Sequence, residues 1–474
     1  MNNLDSTVLE NLFQLESVSG KNDKLEILKL SDNSTIEFIR WCLDPNVNFY
    51  ITKVPKVTSK TVPHPTVQNI DDAYYALLDK VASRFLTGKA AATFVESIAA
   101  SLGSEGNELL KRLLKRDPRC GVGVKTLNTA VGYDLIYVPG YMRCSPFNAK
   151  TVAKMGLPVI SQTKMDGLFV NIIVDEESNS VTVLTRSGQD ITDKVLASHP
   201  RSLLSLVVGI DSSFVLHGEA VASYDGDINN LMPREASNGY LNSDDVDPDR
   251  VHFFLWDTLP LDEFFEGKCD IPYTERFAEV HDTIQAFQRT DYADESLVNR
   301  FFPVSSRELN SVDEIIAHFK EVRAKGEEGT IIKSPDGIWK NGTSKDQIKL
   351  KVIFDCDLMV SDAVEGEGKY AGMLGALTVS SSCGQVVLNI GTGFSDIQRQ
   401  YLWEHRDELI DSIVAVKAND ITVTKRDEDG NPIEHALFLP RFIEFREDKY
   451  EADDIERIRE QVIAFTDTLK LLEE

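Results

Sequence analysis

Near residue 145 the apolar residues of this chain stop recurring at helical spacing and begin to alternate, and no single architecture of one layer accommodates both patterns. Before that point the spacing predicts helices over 5–18, 20–30, 33–43, 70–86, 89–102 and 105–116. A Pro- and Thr-rich connector, Val54 to Pro65, interrupts them and is expected to be irregular. Residues 134–150, which carry Pro139-Gly140 and Pro146, read as an extended linker. Beyond it, strands are predicted over 168–174, 180–185, 214–222, 251–256 and 329–333, with a helix over 311–325. From about Asp355 the strands shorten (358–364, 375–380, 385–389, 420–424 and 437–445), as in a small all-β unit, and an acidic helix over 452–472 closes the chain. A chain of 474 residues exceeds the size at which one core keeps growing. The expected organisation is multidomain: an all-α N-terminal domain over 1–145, an α+β domain over 146–354, and a C-terminal β-barrel with its helix over 355–474.

Six cysteines lie far apart with no C-x-x-C pair, which argues against a zinc ribbon and against a disulfide framework. No run of eighteen apolar residues exists and the start lacks a basic segment followed by an apolar one, so no membrane partner and a cytoplasmic location are expected. The formal net charge of -26 opposes nucleic-acid binding, where cations against the phosphates dominate affinity. Distribution matters more than the sum. From Leu109 the chain reads Leu-Leu-Lys-Arg-Leu-Leu-Lys-Arg-Asp-Pro-Arg, in which Leu109, Leu110, Leu113 and Leu114 form one helical stripe. Lys111, Arg112, Lys115 and Arg116 form the next, with Arg119 just beyond, and these five are the candidate DNA-binding residues; a solvated surface helix explains the stripe equally well.

The chemistry-bearing residues occur in a fixed order. Lys164-Met165-Asp166-Gly167 stands between the extended segment 158–163 and the strand 168–174, so that Lys164 projects from a strand end beside a glycine turn. A lysine nucleophile must be neutral to attack, and desolvation with neighbouring cations favours that form. Next come Arg186 at a strand end, whose planar fork matches phosphate oxygens, and Glu219 in His217-Gly218-Glu219-Ala220. Trp256 follows in an aromatic strand, where a flat ring can stack on a purine, and then Glu328 opens Glu328-Gly329-Thr330-Ile331-Ile332-Lys333. Lys349 and Lys351 complete the set, sharing one face of a strand because side chains alternate with period two. Each piece alone has an ordinary structural explanation. Together, two carboxylates, a row of cations and an aromatic are what a nucleotide with Mg²⁺ requires.

These pieces resemble motifs I, Ia, III, IIIa, IV and V of the covalent nucleotidyltransferases, the superfamily of DNA ligases, RNA ligases and mRNA capping enzymes. In the C-terminal region, Arg446-Glu447-Asp448-Lys449 resembles motif VI. The likeness is to ATP-dependent DNA ligases of the T-even phage type and spans nearly the whole chain. It implies a helical DNA-binding domain, a nucleotidyltransferase (adenylation) domain and an OB-fold. It also implies sealing of nicks in duplex DNA, in replication, repair and recombination, through AMP carried covalently on Lys164, then on the DNA. By position, Trp256 stacks on adenine, Glu219 contacts ribose or metal, Glu328 binds metal, and Lys349 and Lys351 hold the α-phosphate. Asp166 and Gly167 belong to the nucleotide site, Arg186 contacts the 5′-phosphate or ribose, and Arg446 and Lys449 orient the pyrophosphate. ATP and Mg²⁺ are the implied cofactors, and nicked duplex DNA is the partner of an expected monomer, with a sliding clamp or another replication protein as a possible recruiter and host cytoplasm as the location if the source is viral.

One place departs from the motif. Where it runs K-x-D-G-x-R, this chain has Phe169, and the sequence identifies no cation that takes over. The alternatives are a non-catalytic DNA clamp of the same fold, favoured by Phe169 and the acidity, or an RNA ligase or capping guanylyltransferase of the same superfamily.

Overall fold

The computed structural model describes residues 3–51, 54–196, 206, 212–289, 295–367 and 370–468. The chain divides into two units, one formed by Met1–Pro139 with Leu184–Ile191, the other by Gly140–Val183 with Thr192–Glu474.

In the first unit the helical spacing is realised as Asn3–Ser17, Lys21–Leu30, Asn33–Leu43, Ile70–Leu77, Gly88–Ser101, Ser104–Leu114 and Val124–Val131. Among the described residues it contains no extended ladder of its own before Pro139. Side chains that accept from orphan backbone N–H groups mark two of the starts, Asp32 from Thr35 and Asn69 from Asp72. The helix predicted to run to residue 86 gives way to one π-helical turn at Leu78–Ala82. Val124–Val131 escapes the sequence reading because only Leu127 of it is buried, so no stripe announces it. Leu12, Leu15, Phe38, Ile39, Leu109 and Leu113 meet in one core, with Trp41 stacked on Tyr74 at 4.1 Å.

The basic run departs from the expected stripe. Lys111 and Lys115 are exposed, and Arg116 and Arg119 are half-buried. Arg112 is only 3% exposed and faces inward, where its guanidinium bonds Glu16 at 2.7 Å, Glu108 at 3.3 Å and the Pro118 carbonyl at 2.9 Å. Its planar fork is consumed inside the unit, so Arg112 is corrected from a candidate DNA contact to a structural residue. The helix also ends at Leu114, and Arg116 lies past it with a positive φ of 53°, donating to the Asp44 carbonyl at 2.7 Å.

The second unit holds two five-stranded sheets that carry the candidate site. One has the strand order Met142–Pro146, Gly342–Lys351, Gly329–Lys333, Val159–Thr163, Ser306–Leu309. The other runs Ser180–Thr185, Leu168–Asp175, Phe214–Ala222, Val251–Pro260, Phe301–Pro303. The expected linker is therefore partly strand: Met142–Pro146 pairs in parallel with Gly342–Lys349, and only this edge position tolerates Pro146. The consecutive strands Val159–Thr163 and Leu168–Asp175 lie in different sheets, so residues 164–167 cross from one to the other.

From Phe354 a third five-stranded sheet follows, ordered Val387–Ile390, Leu374–Ser380, Phe354–Glu365, Ile413–Ala418, Arg441–Phe445. Asp420–Arg426 and Pro432–Phe438 pair as a separate two-stranded ribbon, and an isolated bridge joins His435 of the ribbon to Val386, next to the edge strand Val387–Ile390. The ladder is open, which differs from the closed barrel expected. Register shifts at Val360/Asp362, Val364/Glu365 and Ala415/Val416 interrupt the pairing within the sheet, and the last two strands before Arg441 pair with each other in the ribbon. The acidic C-terminal helix runs over Ile455–Thr468; residues 469–472 of the expected helix lie outside the described residues. Among the described residues, no helix is long and apolar enough to cross a membrane.

Candidate active site

The Lys164–Gly167 crossing is fixed at both ends by backbone. Lys164 N–H donates to the Gly329 carbonyl at 2.9 Å, and Gly167 N–H donates to Glu219 Oε2 at 2.5 Å. Glycine is required at 167 by close approach, since a Cβ there would lie 2.6 Å from the Ala220 carbonyl oxygen and 2.8 Å from Val221 Cγ2. Gly218 meets the same constraint on the next strand, where a Cβ would lie 2.6 Å from the Phe254 carbonyl oxygen. The two glycines let neighbouring backbones close up and bring Glu219 against the Lys164 loop.

Lys164 Nζ donates to Glu328 Oε2, and Lys351 Nζ stands 3.5 Å from Glu328 Oε1. With side chains only 22% and 12% exposed, Lys164 and Glu328 form a largely desolvated pair. Burial opposes the charge on Lys164, but the pull of Glu328, Glu219 and Asp166 outweighs it and the amine's pKa stands above its usual value. Burial likewise opposes the Glu328 carboxylate, and Lys164 and Lys351 reverse the balance, holding it below its usual range. Burial alone therefore does not favour the neutral amine here, because the Glu328 pairing favours the charged form of Lys164. Glu219 behaves oppositely, because burial pushes it up to about 7 against the pull of Lys164 and the Gly167 N–H. Lys351 is lowered, by burial first. Lys349 and Lys351 are both half-buried on one strand face while Leu350 between them is fully buried.

A cleft between the sheets is lined by Lys164, Glu219 and Trp256, together with Tyr141, Gln162 and Lys333. Trp256 is half-buried in its wall. Behind it, Asp257 and Arg276 make a buried two-point ion pair at 2.7 and 3.1 Å, and Tyr273 donates to the Trp256 carbonyl at 2.9 Å. Asp257 therefore anchors the strand that carries the tryptophan. Phe169, cross-strand partner of Glu219, puts its ring 4.6 Å from Tyr141 and 5.9 Å from Trp256, so an aromatic cluster stands where the motif has an arginine. His217 packs behind it, lowered to about 4 by burial and hence neutral, with Nδ1 2.8 Å from Asn171 Oδ1.

The remaining candidates fall elsewhere. Asp166 pairs with Arg234 at 2.9 Å. Arg446 bonds Asp448 at 2.9 Å and Asp357 at 3.2 Å, and Lys449 also bonds Asp357, so both cations are held within the C-terminal sheet region. Arg186 is exposed on the Thr185–Gln189 turn, which belongs to the first unit.

Three residues around the Lys164 loop and its cleft were missed by the sequence reading. Gln162 lines the cleft at only 2% exposure, with its side chain hydrogen-bonded to Tyr273. Lys333 lies 4.1 Å over the Tyr273 ring, its pKa lowered to about 8 by burial. Alternation gave a signal for both: Gln162 precedes Lys164 by two, and Lys333 follows Ile331 by two on a cleft-facing strand. Arg234 gave none, since it lies in a polar stretch and reaches the loop only through packing of the Arg234–Asn242 helix on the Phe214–Ala222 strand.

Residues 142–351 match the family model described as ATP dependent DNA ligase domain, and residues 365–432 the one described as DNA ligase OB-like domain. The DNA ligase of Enterobacteria phage T4 is 26% identical over 502 residues, covering 95% of this chain and 98% of its own length, and that of Enterobacteria phage T6 matches to the same extent. The DNA ligase of Thermococcus onnurineus is 25% identical over 350 residues, covering 68% of this chain and 57% of its own. Among solved structures, the one named Pmar-Lig_PreS3 superimposes with a TM-score of 0.65 at 25% identity, covering 93% of this chain and 99% of that one.

Proposed function

We infer that this chain, which belongs to the ATP-dependent DNA ligases, seals nicks in duplex DNA by carrying AMP on Lys164. The observation that carries the assignment of the nucleophile is the convergence of Lys164, Glu219, Glu328 and Lys351, from strands of two sheets and the residues at their ends, beside a cleft walled by Trp256. In the first step the Lys164 Nζ lone pair forms an N–P bond to the α-phosphorus of ATP as the bond to pyrophosphate breaks, its electron pair leaving on the pyrophosphate oxygen. The AMP then passes from Lys164 to the 5′-phosphate of the nick, the N–P bond breaking, and the 3′-hydroxyl displaces AMP to form the phosphodiester.

In this reading the chain's own residues mostly position and balance charge. Trp256 offers its ring to the adenine, and Gln162 lines the cleft beside it. Lys349 and Lys351 face the α-phosphate. Attack needs Lys164 released from Glu328, since the amine bonded there stays protonated. Glu219 and Glu328 fit Mg²⁺ as donors: they are hard carboxylate oxygens beside the Lys164 loop, and magnesium takes one or two carboxylates together with the substrate's phosphates. Bound there, the ion would neutralise phosphate charge. The helical residues 1–145 and the small β domain from 355 would hold the duplex, with Lys111, Lys115 and Arg119 toward phosphates and Arg186 toward the nucleotide or the nick. Arg446 and Lys449 would have to leave Asp357, at least in part, to orient pyrophosphate.

The test is incubation with ATP labelled at the α-phosphate and with nicked duplex. The parent chain is expected to retain label and to seal the nick, and Lys164→Ala to do neither. A Lys164→Ala variant that still takes up label would show that another side chain is the nucleophile.

A further inference from the structure

We propose that Arg234 supplies, beside Lys164, the phosphate-binding cation that the Lys164–Phe169 segment lacks; the proposal rests on Lys164 being the nucleophile. Phe169 cannot serve, because its ring is built into the aromatic wall with Tyr141 and Trp256. Arg234 approaches from a different element. It opens the Arg234–Asn242 helix, and its Nη1 lies 2.9 Å from Asp166 Oδ1, two residues past Lys164.

A second cleft lies on this side of the Lys164 loop, lined by Asp166, Val221, Arg234 and Glu328 and, from the C-terminal ribbon, by Asp420 and Phe438. Met165 borders both clefts. Glu219 and Val221 alternate on one face of the Phe214–Ala222 strand, the first lining the aromatic cleft and the second lining this one. The two clefts therefore lie in succession along a single sheet face, with Lys164 between the aromatic end and the Arg234 end. A nucleotide whose base rests against Trp256 and whose α-phosphorus meets Lys164 directs its next phosphate oxygens toward Arg234.

The guanidinium suits that place. It has five N–H donors in a planar fork, and its carboxylate partner is Asp166, through one oxygen. Its side chain is 38% exposed, so the fork is reachable from the cleft, while the Phe438 ring 5.6 Å away covers it on the ribbon side. Arg234 is close enough to Glu328 to act on its charge, and Glu328 holds Lys164. The ligand is a phosphate group adjoining the reacting phosphorus, from either of two sources. It is the pyrophosphate leaving as the N–P bond forms, or the 5′-phosphate whose oxygen bonds the α-phosphorus as the N–P bond breaks.

The experiment compares Arg234→Ala and Arg234→Lys with the parent full-length chain in three measurements: label uptake from α-labelled ATP, transfer of AMP from the pre-labelled protein to nicked duplex, and the thermal unfolding midpoint. If pyrophosphate is the ligand, Arg234→Ala slows uptake about 10²-fold, the scale for removing one donor at a developing anion, and slows pyrophosphate-driven release of the label in parallel, with Arg234→Lys intermediate. If the nick's phosphate is the ligand, uptake stays at the parent rate and the transfer falls about 10²-fold. Both rates remaining within twofold of the parent overturn the proposal. So does an equal loss of both rates with a lowered unfolding midpoint, which is what a residue that only braces Asp166 and the ribbon produces. Label uptake by Lys164→Ala would instead defeat the nucleophile assignment, and is scored separately from the Arg234 rates.

Discussion

The cleft and the basic segment 109–119 both present cations at regular spacing, and the fold treats them differently. In the strand Gly342–Lys351, Lys349 and Lys351 lie on one face and Leu350 goes to the core, as period two dictates. In the helix Ser104–Leu114, Lys111 stays on the surface while Arg112, its neighbour in sequence, turns inward to Glu16 and Glu108. A strand with one buried face leaves a side chain two choices. A helix has flanks, about 100° of turn per residue, and on a flank an arginine long enough to reach an acid of a neighbouring helix can be captured by it. Spacing thus locates strand cations more securely than helix cations.

The sharpest break of that comparison is Arg112→Ala. If Arg112 is structural, the substitution leaves Glu16 and Glu108 facing a void and lowers the unfolding free energy by about 3 kcal/mol, read from a urea midpoint. The salt dependence of nick binding should keep the parent slope. A stable variant with weakened DNA affinity would return Arg112 to the DNA surface and undo the contrast.

Lys333 tests the cleft side, as a cation held in a desolvated wall. Its folded pKa of about 8 lies below the ordinary lysine value of 10.5, burial being the main cause. Between those values the unfolded chain binds the extra proton, so this residue's contribution to stability rises with pH and is least favourable below pH 8. The parent should therefore gain about 2 kcal/mol relative to Lys333→Met between pH 8 and pH 10. Equal pH dependence in the two chains would mean that Lys333 is solvated and that the cleft wall is open to water there.

How much was readable from sequence follows the same division. The strands that bear Glu219, Trp256 and Lys351, and those whose ends carry Lys164 and Glu328, were legible because alternation and turn residues are local signals. Met142–Pro146 was read as linker because its partner lies about two hundred residues away at Gly342–Lys349, and the nearby prolines pointed to a connector. Ile413–Ala418, a central strand, was missed because it is buried on both faces and so lacks alternation. Arg234 was invisible for a third reason, since its placement depends on a helix packing against a distant strand and leaves no periodic trace. Arg446, Asp448 and Lys449 were found as a motif, but their shared partner Asp357 was not, because nothing local links it to them.

The smallest effect is expected from the two exposed lysines, and it bears most directly on how so acidic a chain holds DNA. Lys111 has only a loose partner, Glu108 at 3.5 Å, so Lys111→Ala with Lys115→Ala should change stability by about 0.5 kcal/mol or less. If both side chains meet phosphates, each releases about one counterion, and the pair of substitutions lowers the slope of log affinity against log salt by about 2. Adenylylation should be unaffected. With a net charge of -26, contacts of this kind are few, so removing two should flatten a large share of the slope, as anisotropy titrations across salt would show. An unchanged slope would place the DNA surface on other residues, and the exposed half of the basic run would then be as unrelated to DNA as its buried arginine.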